Sequence, residues 1–346
     1  MHDGCGQREV PAGQENNEQG ESGVDLSIVV PVYNEEECVD ALCEQLHQSV
    51  SALGRSYEII LIDDGSSDRT WPLLTACSER YPHFRLLRFR RNFGQTAAMS
   101  AGFHHAHGDV VVTLDADLQN DPNDIPRLLE KLDAGYDVVS GWRKDRQDPL
   151  ISRRLPSMIA NGLISWITGV HLHDYGCTLK AYRREVIRDV HLYGEMHRFI
   201  PALASWVGGT VTEVEVNHHP RRQGTSKYGI NRTSRVILDL ITVKFLMRYS
   251  LGPMQMFGMV GLLFLLPALF LFAIILGGHF SFLLFGTEFA SELVKRPFWL
   301  VSATMLIFLG VQFISMGLLA EIQIRTYHES QNKRTYVLRE DEVCSQ

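Results

Sequence analysis

Two stretches of the chain, Met254 to Gly278 and Pro297 to Ala320, contain no charged residue. Each reaches the ~20 residues that a helix needs to cross the hydrocarbon core of a bilayer. A soluble core helix rarely stays uncharged on all faces for so long. The pattern predicts two transmembrane helices, with a buried core hairpin as the alternative. The rest of the chain must then fold beside a membrane. Its first 24 residues are rich in Gly, Glu, Gln and Asn and lack an apolar signal-peptide core, which predicts a disordered tail.

From about Asp25 to His219 the sequence alternates strands with helices. Strands are predicted at Leu26–Val32, Tyr57–Ile62, Phe84–Phe89, Val110–Leu114 and Asp137–Ser140. Helices are predicted at Glu35–Leu53, Arg69–Arg80, Gln95–His107 and Pro122–Ala134. This α/β alternation implies a mostly parallel sheet covered by helices on both faces, and such sheets bind ligands at the C-terminal ends of their strands. Three polar clusters fall there: Tyr33-Asn34-Glu35, Asp63-Asp64-Gly65-Ser66 and Asp115-Ala116-Asp117.

Asp115 and Asp117, one residue apart after an apolar strand, can hold a hard divalent cation such as Mg2+ or Mn2+ against a diphosphate. Asp64 with its Gly-Ser turn can accept hydrogen bonds from a base or ribose. Each cluster also has a plainer explanation, as a turn or, for Asn34-Glu35, as a helix cap. The sequence contains neither G-x-G-x-x-G nor G-x-x-x-x-G-K-[ST], so it supports no dinucleotide site or P-loop. The net charge of -7 argues against a general nucleic-acid binder. The six cysteines form no C-x-x-C pair, which predicts free thiols in a reducing compartment.

A local basic loop, His218-His219-Pro220-Arg221-Arg222-Gln223-Gly224-Thr225-Ser226-Lys227-Tyr228-Gly229, lies just before the apolar stretches. It can close over phosphates, with Lys227 the leading candidate for a catalytic cation, or it can be a solvated patch attracted to anionic lipid. Arg198 is a second acceptor-phosphate candidate. Asn231 to Tyr249 has Val236, Leu240, Val243 and Met247 on one face, which predicts an amphipathic helix lying on the bilayer or packing on its own subunit.

The segments Ser27-Ile28-Val29-Val30-Pro31-Val32-Tyr33-Asn34-Glu35-Glu36, Asp63-Asp64-Gly65-Ser66-Ser67-Asp68 and Asp115-Ala116-Asp117-Leu118-Gln119 resemble the opening motifs of family 2 glycosyltransferases with the GT-A fold. Arg91-Asn92-Phe93-Gly94-Gln95, Asp174-Tyr175-Gly176-Cys177, Ser226-Lys227-Tyr228 and the two spans are similar to the polyprenyl-phosphate glycosyltransferases, the group of dolichol-phosphate mannose synthase, GtrB and ArnC, with ArnC-type enzymes nearest. The resemblance implies that Pro31, Tyr33, Glu35 and Asp64 line the nucleotide and that Asp115, Asp117 and Gln119 hold the metal and diphosphate. It places Arg143 near the donor phosphates and makes Asp174 a catalytic base or an orienter, against a plain cap or turn. Ser226 and Tyr228 join Arg198, Arg221, Arg222 and Lys227 on the acceptor side.

The implied enzyme inverts a sugar taken from a nucleotide diphosphate, UDP in particular, onto undecaprenyl phosphate, for cell-envelope glycan or lipid A modification. A Q-x-x-R-W motif is absent, so a processive polymerase is disfavoured. The alternatives are a metal-dependent phosphohydrolase and a silent scaffold. The expected organisation is a tail (1-24), a GT-A domain (25-230), a juxtamembrane helix (231-250), the two spans (251-322) and a cytoplasmic tail (323-346). The catalytic domain is expected on the cytoplasmic side of the inner membrane, in contact with the lipid bilayer, and the resemblance implies a homo-oligomer, a tetramer.

Overall fold

The computed structural model describes residues 23–144, 155–188, 190, 192, 194, 196–220, 239–240, 242–245, 247, 252–286 and 297–330. Its centre is a seven-stranded sheet in the order β3-β2-β1-β4-β6-β5-β7. The strands are β1 (Leu26–Val32), β2 (Tyr57–Asp63), β3 (Phe84–Arg88), β4 (Val110–Thr113), β5 (Val138–Trp142), β6 (Lys180–Arg183) and β7 (Val211–Glu215). β1 and β2 read as continuous apolar runs because both of their faces are covered.

Period-two alternation sorts their side chains. Ile28, Val30, Ile59 and Leu61 point toward α1 (Val39–Ser51), α2 (Thr70–Arg80) and α4 (Ile125–Asp133). Val29, Ile60, Ile62 and Val111 point toward α3 (Gln95–His105), α6 (Arg184–Arg188) and α7 (Ile200–Trp206). α1 offers Val39, Leu42, Leu46 and Val50 to this core, the spacing of one helical face.

Every neighbouring pair is parallel except those made by β6, which runs antiparallel to β4 and β5. Lys180, the first residue of β6, therefore pairs with Thr113 and Ser140 near the C-terminal ends of their strands. The reversal delivers the loop 174–179 to the same edge as the ends of β1, β2 and β4. Pro31 matters at that edge too. The β1–β4 ladder ends at Val29 and Thr113, with Leu114 donating to the Val29 carbonyl. Proline has no N–H to continue it, so the strands part where Asp115 begins.

A third core joins α5 (Leu155–Thr168) to the approach to the membrane. Ile164, Leu172, Tyr175, Phe199 and Leu203 pack with Leu240 and Val243, and Lys244 donates to the Ile167 carbonyl at 2.7 Å. In the described part of the 231-250 segment, the apolar face thus packs on the protein's own domain. The remaining residues of that segment lie outside the described residues.

The two apolar stretches form helices Pro253–Phe285 and Pro297–Ser330, longer than the uncharged runs and each long and apolar enough to cross a membrane. They touch backbone to backbone at two glycines. A Cβ on Gly261 would lie 2.8 Å from the Gly310 carbonyl oxygen, and one on Gly310 would lie 2.9 Å from that of Gly261.

The expectation of free thiols needs correcting. Cys43 and Cys77 are joined in a disulfide, because α1 and α2 lie side by side and bring their Cα atoms to 6.6 Å. Cys38 and Cys177 are free and buried, whereas Cys5 and Cys344 lie outside the described residues. The helix expected at Pro122–Ala134 begins with a 3-10 turn, Pro122–Asp124, where the Asp121 side chain accepts from the Asn123 N–H.

Candidate active site

The ends of β1 and β2 are tied together before any ligand is considered. Asn34 donates its N–H to the Ser66 hydroxyl, Glu35 to Thr70 Oγ1 and Glu36 to the Asp68 carboxylate. In return, Ser67 donates to Asn34 Oδ1 and Arg69 to the Glu36 carboxylate. Asn34 sits in the left-handed region at φ 50, which Asn tolerates. Tyr33 and Glu35 are half-buried at the rim of this clasp.

Asp64 faces the loop that precedes α3. Its two carboxylate oxygens accept from the backbone N–H groups of Phe93 (2.7 Å) and Gly94 (2.9 Å). Burial pushes its carboxyl up, and those two bonds oppose the rise. The turn before that loop must be glycine: at φ 70, a Cβ on Gly65 would stand 2.4 Å from the Arg91 carbonyl carbon. Neighbouring Asp63 serves the scaffold, accepting from Ser66 and pairing with Arg88 at 3.2 Å.

Asp115 and Asp117 follow β4 at the centre of the edge. Desolvation, then the charge of Asp117, push Asp115 up to about 6, with the Thr178 hydroxyl opposing. Gln95 Nε2 donates to Asp115 Oδ1 at 2.7 Å. Between the aspartates and Gln119 the backbone turns through Leu118 at φ 60, a conformation costly for a leucine, and Gln119 N–H closes onto Asp117 Oδ1 at 3.2 Å. Two mutually repelling carboxylates on a constrained loop suit a hard divalent cation that takes its other ligands from phosphate and water. Among the described residues no group of three or more His, Cys, Asp or Glu side chains could hold a metal by itself, so such a site needs ligands from outside the chain's acidic residues.

The other wall comes from the reversed strand. Arg143 grips Asp174 through two bonds, Nε to Oδ2 at 2.7 Å and Nη2 to Oδ1 at 3.1 Å. The pair is nearly dry, at 13% and 3% side-chain exposure. Burial works against the Arg143 charge, but the Asp174 carboxylate outweighs it and raises the guanidinium further. Lys180 lies beneath, donating to the carbonyls of Tyr175 and Cys177 and so pinning the 174–178 loop. Burial lowers it to about 8, with Asp174 opposing and Arg143 and Arg198 adding to the fall. Arg198 is half-buried in a 3-10 turn, Met196–Phe199, close enough to repel Lys180. Asn120 donates to Thr178 Oγ1 at 2.9 Å, which links this wall to the Asp117 loop.

Pro31, Tyr33, Glu35, Asp64, Asp115, Asp117, Gln119, Arg143 and Asp174 thus come from the strand ends and loops of one sheet edge. Arg221, Arg222, Ser226, Lys227 and Tyr228 lie outside the described residues. The chain leading to them is moored at the site: His219 N–H donates to the Gln119 carbonyl at 2.9 Å, and Asn120 bridges His218. Sequence reasoning passed over Gln95, Thr178 and Lys180 as working residues. Gln95 closes the Arg91–Gln95 motif, and Thr178 and Lys180 continue the run that begins Asp174-Tyr175-Gly176-Cys177, so each lies in a segment that carries the family resemblance.

The family model "Glycosyl transferase family 2" matches residues 27–190. The chain is 44% identical over 326 residues to the dodecaprenyl-phosphate galacturonate synthase of Rhizobium johnstonii, covering 92% of this chain and 93% of that one. It is 41% identical over 315 residues to the undecaprenyl-phosphate 4-deoxy-4-formamido-L-arabinose transferase of Edwardsiella ictaluri, covering 90% and 93%. Among solved structures, glucosyl-3-phosphoglycerate synthase of Mycobacterium tuberculosis, in complex with Mn2+, UDP and phosphoglyceric acid, aligns with a TM-score of 0.52 at 18% identity, covering 65% of this chain and 78% of that one. The same enzyme with Mg2+ and UDP aligns at 0.50 and 18% identity, covering 65% and 79%. The structural likeness establishes the GT-A type of fold.

Proposed function

The chain belongs to glycosyl transferase family 2, and we propose that it moves one sugar from a UDP-linked donor to polyprenyl phosphate, in particular undecaprenyl phosphate. The observation that carries this reading is the placement of Asp115 and Asp117 beside Asp64 at one sheet edge, in a chain whose next elements are two membrane-length helices. The names of its relatives, both polyprenyl-phosphate sugar enzymes, support the acceptor class. In this reading the product serves cell-envelope glycan or lipid A modification. We further propose a catalytic domain on the cytoplasmic face of the inner membrane and a division into a tail (1-24), GT-A domain (25-230), juxtamembrane helix (231-250), spans (251-322) and cytoplasmic tail (323-346), a reading that the two membrane-length helices after the sheet domain support.

In this reading Asp115, Asp117 and Gln119 hold Mg2+ or Mn2+, which when bound supplies counter-charge to the departing diphosphate. The clasp of residues 33–36 and 66–70 shapes the nucleotide pocket around Pro31, Tyr33, Glu35 and Asp64. A lipid phosphate monoester, with its second pKa near ~6, is already largely dianionic at neutral pH. Its oxygen can attack the anomeric carbon without a strong base, so positioning and charge dominate. Asp174 accordingly acts as an orienter. It fixes Arg143 so that the guanidinium edge stays aimed along the cleft toward the donor phosphates. Lys227, with Arg221, Arg222, Ser226 and Tyr228, is assigned to the acceptor phosphate, and Arg198, which lies close enough to Lys180 to repel it, is assigned to it as well.

The test is release of UDP from a panel of UDP-sugars with and without undecaprenyl phosphate. Release that requires the lipid, and is abolished by Asp117→Ala, is expected. Release without the lipid identifies a phosphohydrolase, and no release with any donor identifies a silent scaffold.

A further inference from the structure

Gln95 belongs to neither the nucleotide-lining nor the metal-binding set described above, yet it touches one and adjoins the other. Three consecutive residues face two carboxylates: Phe93 and Gly94 donate their backbone N–H groups to Asp64, and Gln95 donates its side-chain amide to Asp115. Gly94 makes this possible by its φ of 95, which turns the chain into α3 between the two contacts. Gln95 is also held from behind. Thr96 Oγ1 meets His197 Nδ1 at 2.7 Å in a buried contact, and Gly102 sits so close to β1 that a Cβ there would be 2.2 Å from Val29 Cγ1. The first turn of α3 therefore has little freedom to slide along the sheet.

We propose that Gln95 is a positioning residue for metal binding: its amide fixes the rotamer of Asp115 so that the remaining carboxylate lone pairs point at the cation held with Asp117. The inference rests on the metal-dependent reading given above. The residue type fits the task. A neutral amide donates to one oxygen and leaves the carboxylate charge intact, whereas Lys or Arg in its place would neutralise Asp115 and compete with the cation. Partners of this kind behind a ligating carboxylate typically matter about 10- to 100-fold in metal affinity. Because the same turn carries the two N–H groups on Asp64, Gln95 also makes the nucleotide loop and the metal carboxylate one mechanical unit.

The test uses the full-length protein in lipid nanodiscs and reads Mn2+ affinity in the presence of UDP, from the electron paramagnetic resonance signal of free Mn2+. Gln95→Leu is expected to weaken Mn2+ by about 10- to 100-fold, while its unfolding temperature and its UDP affinity in EDTA stay at wild-type values. Thr96→Val, which loosens the support without entering the site, is expected to weaken Mn2+ in the same direction by less. Asp117→Ala is the control for the metal site itself. If Asp117→Ala loses Mn2+ but Gln95→Leu binds it as tightly as wild type, the positioning role is overturned and the metal site stands. If Asp117→Ala keeps Mn2+, the metal reading falls first. If Gln95→Leu loses metal, UDP and thermal stability together, Gln95 is a packing residue and the proposal is likewise overturned.

Discussion

Replacing Asp174 by Asn separates a base from an orienter. Asp174 is 3% exposed and accepts two charge-assisted bonds from Arg143, itself 13% exposed. Asn keeps the shape but removes the charge, leaving a guanidinium in a nearly dry wall without its counter-ion. Breaking a buried pair in this way costs about 3–5 kcal/mol, consistent with two charge-assisted bonds of ~1.5–3 kcal/mol each. At roughly 2–4 °C per kcal/mol, the unfolding temperature of the solubilised enzyme should fall by about 6–20 °C. Turnover should fall with it, because Arg143 no longer has a fixed direction. The double variant Arg143→Met/Asp174→Leu should recover most of the lost stability, since a hydrophobic pair of similar volume replaces two desolvated charges, yet remain inactive. Differential scanning fluorimetry and UDP-release assays on the same preparations give both quantities. An Asp174→Asn enzyme that melts with the wild type but has lost about 100-fold or more in rate would refute this reasoning and restore Asp174 as a base, the scale expected of general catalysis.

Metal binding should depend on pH through Asp115. Its carboxyl is raised from 3.8 to about 6 in the metal-free fold, so the metal-free protein should lose stability as pH climbs from about 4 to 6, and Mn2+ affinity should weaken as pH drops below about 6; calorimetry across that window checks both signs. Lys227→Ala should slow transfer by roughly 30- to 1000-fold, the loss of about 2–4 kcal/mol of transition-state stabilisation, with UDP affinity by isothermal titration unchanged. Gly310→Val should destabilise the helix pair by about 1–3 kcal/mol or more through overpacking, whereas Gly277→Val, with nothing within 4 Å of its Cβ, should unfold as wild type does. For topology, Cys5 and Cys344 should resist an impermeant thiol reagent in intact cells while a cysteine placed at Gly286 is labelled; labelling of Cys344 without lysis would contradict two spans with a cytoplasmic domain.

What could be read from the sequence follows the range of the physics. Apolar runs such as Leu26–Val32 and the flanking polar clusters are local patterns, and the five predicted strands lie within two residues of their places, whereas β6 and β7 are not among them. Helix starts were less legible: α1 begins at Val39, not Glu35, because residues 34–36 are spent on the reciprocal bonds to residues 66–70. Arg143 and Asp174, 31 residues apart, meet only because β6 runs backwards, and no spacing rule encodes that reversal. β6 itself is not among the predicted strands, so nothing local placed Lys180 beneath the Asp174 loop. The Cys43–Cys77 contact depends on two helices lying side by side on one sheet face, a tertiary fact that cysteine spacing alone does not carry.

The third core, in which Tyr175, Phe199 and Leu203 pack with Leu240 and Val243, divides the enzyme mechanically. Asp64 and Asp115 stand at the centre of the sheet edge, backed by the other two cores. The Asp174 loop instead shares its packing with the chain that leads, six residues beyond Met247, into the membrane-length helix at Pro253. Strain from a bilayer too thick or too thin for the helix pair therefore reaches the Asp174 wall first, through close-packed side chains, and the Asp64 and Asp115 side only at second hand, through the Asn120–Thr178 and Thr96–His197 contacts. Lipid chain length then becomes a setting on the enzyme's handling of its second substrate, felt more in the Michaelis constant for the polyprenyl phosphate than in the affinity for the nucleotide.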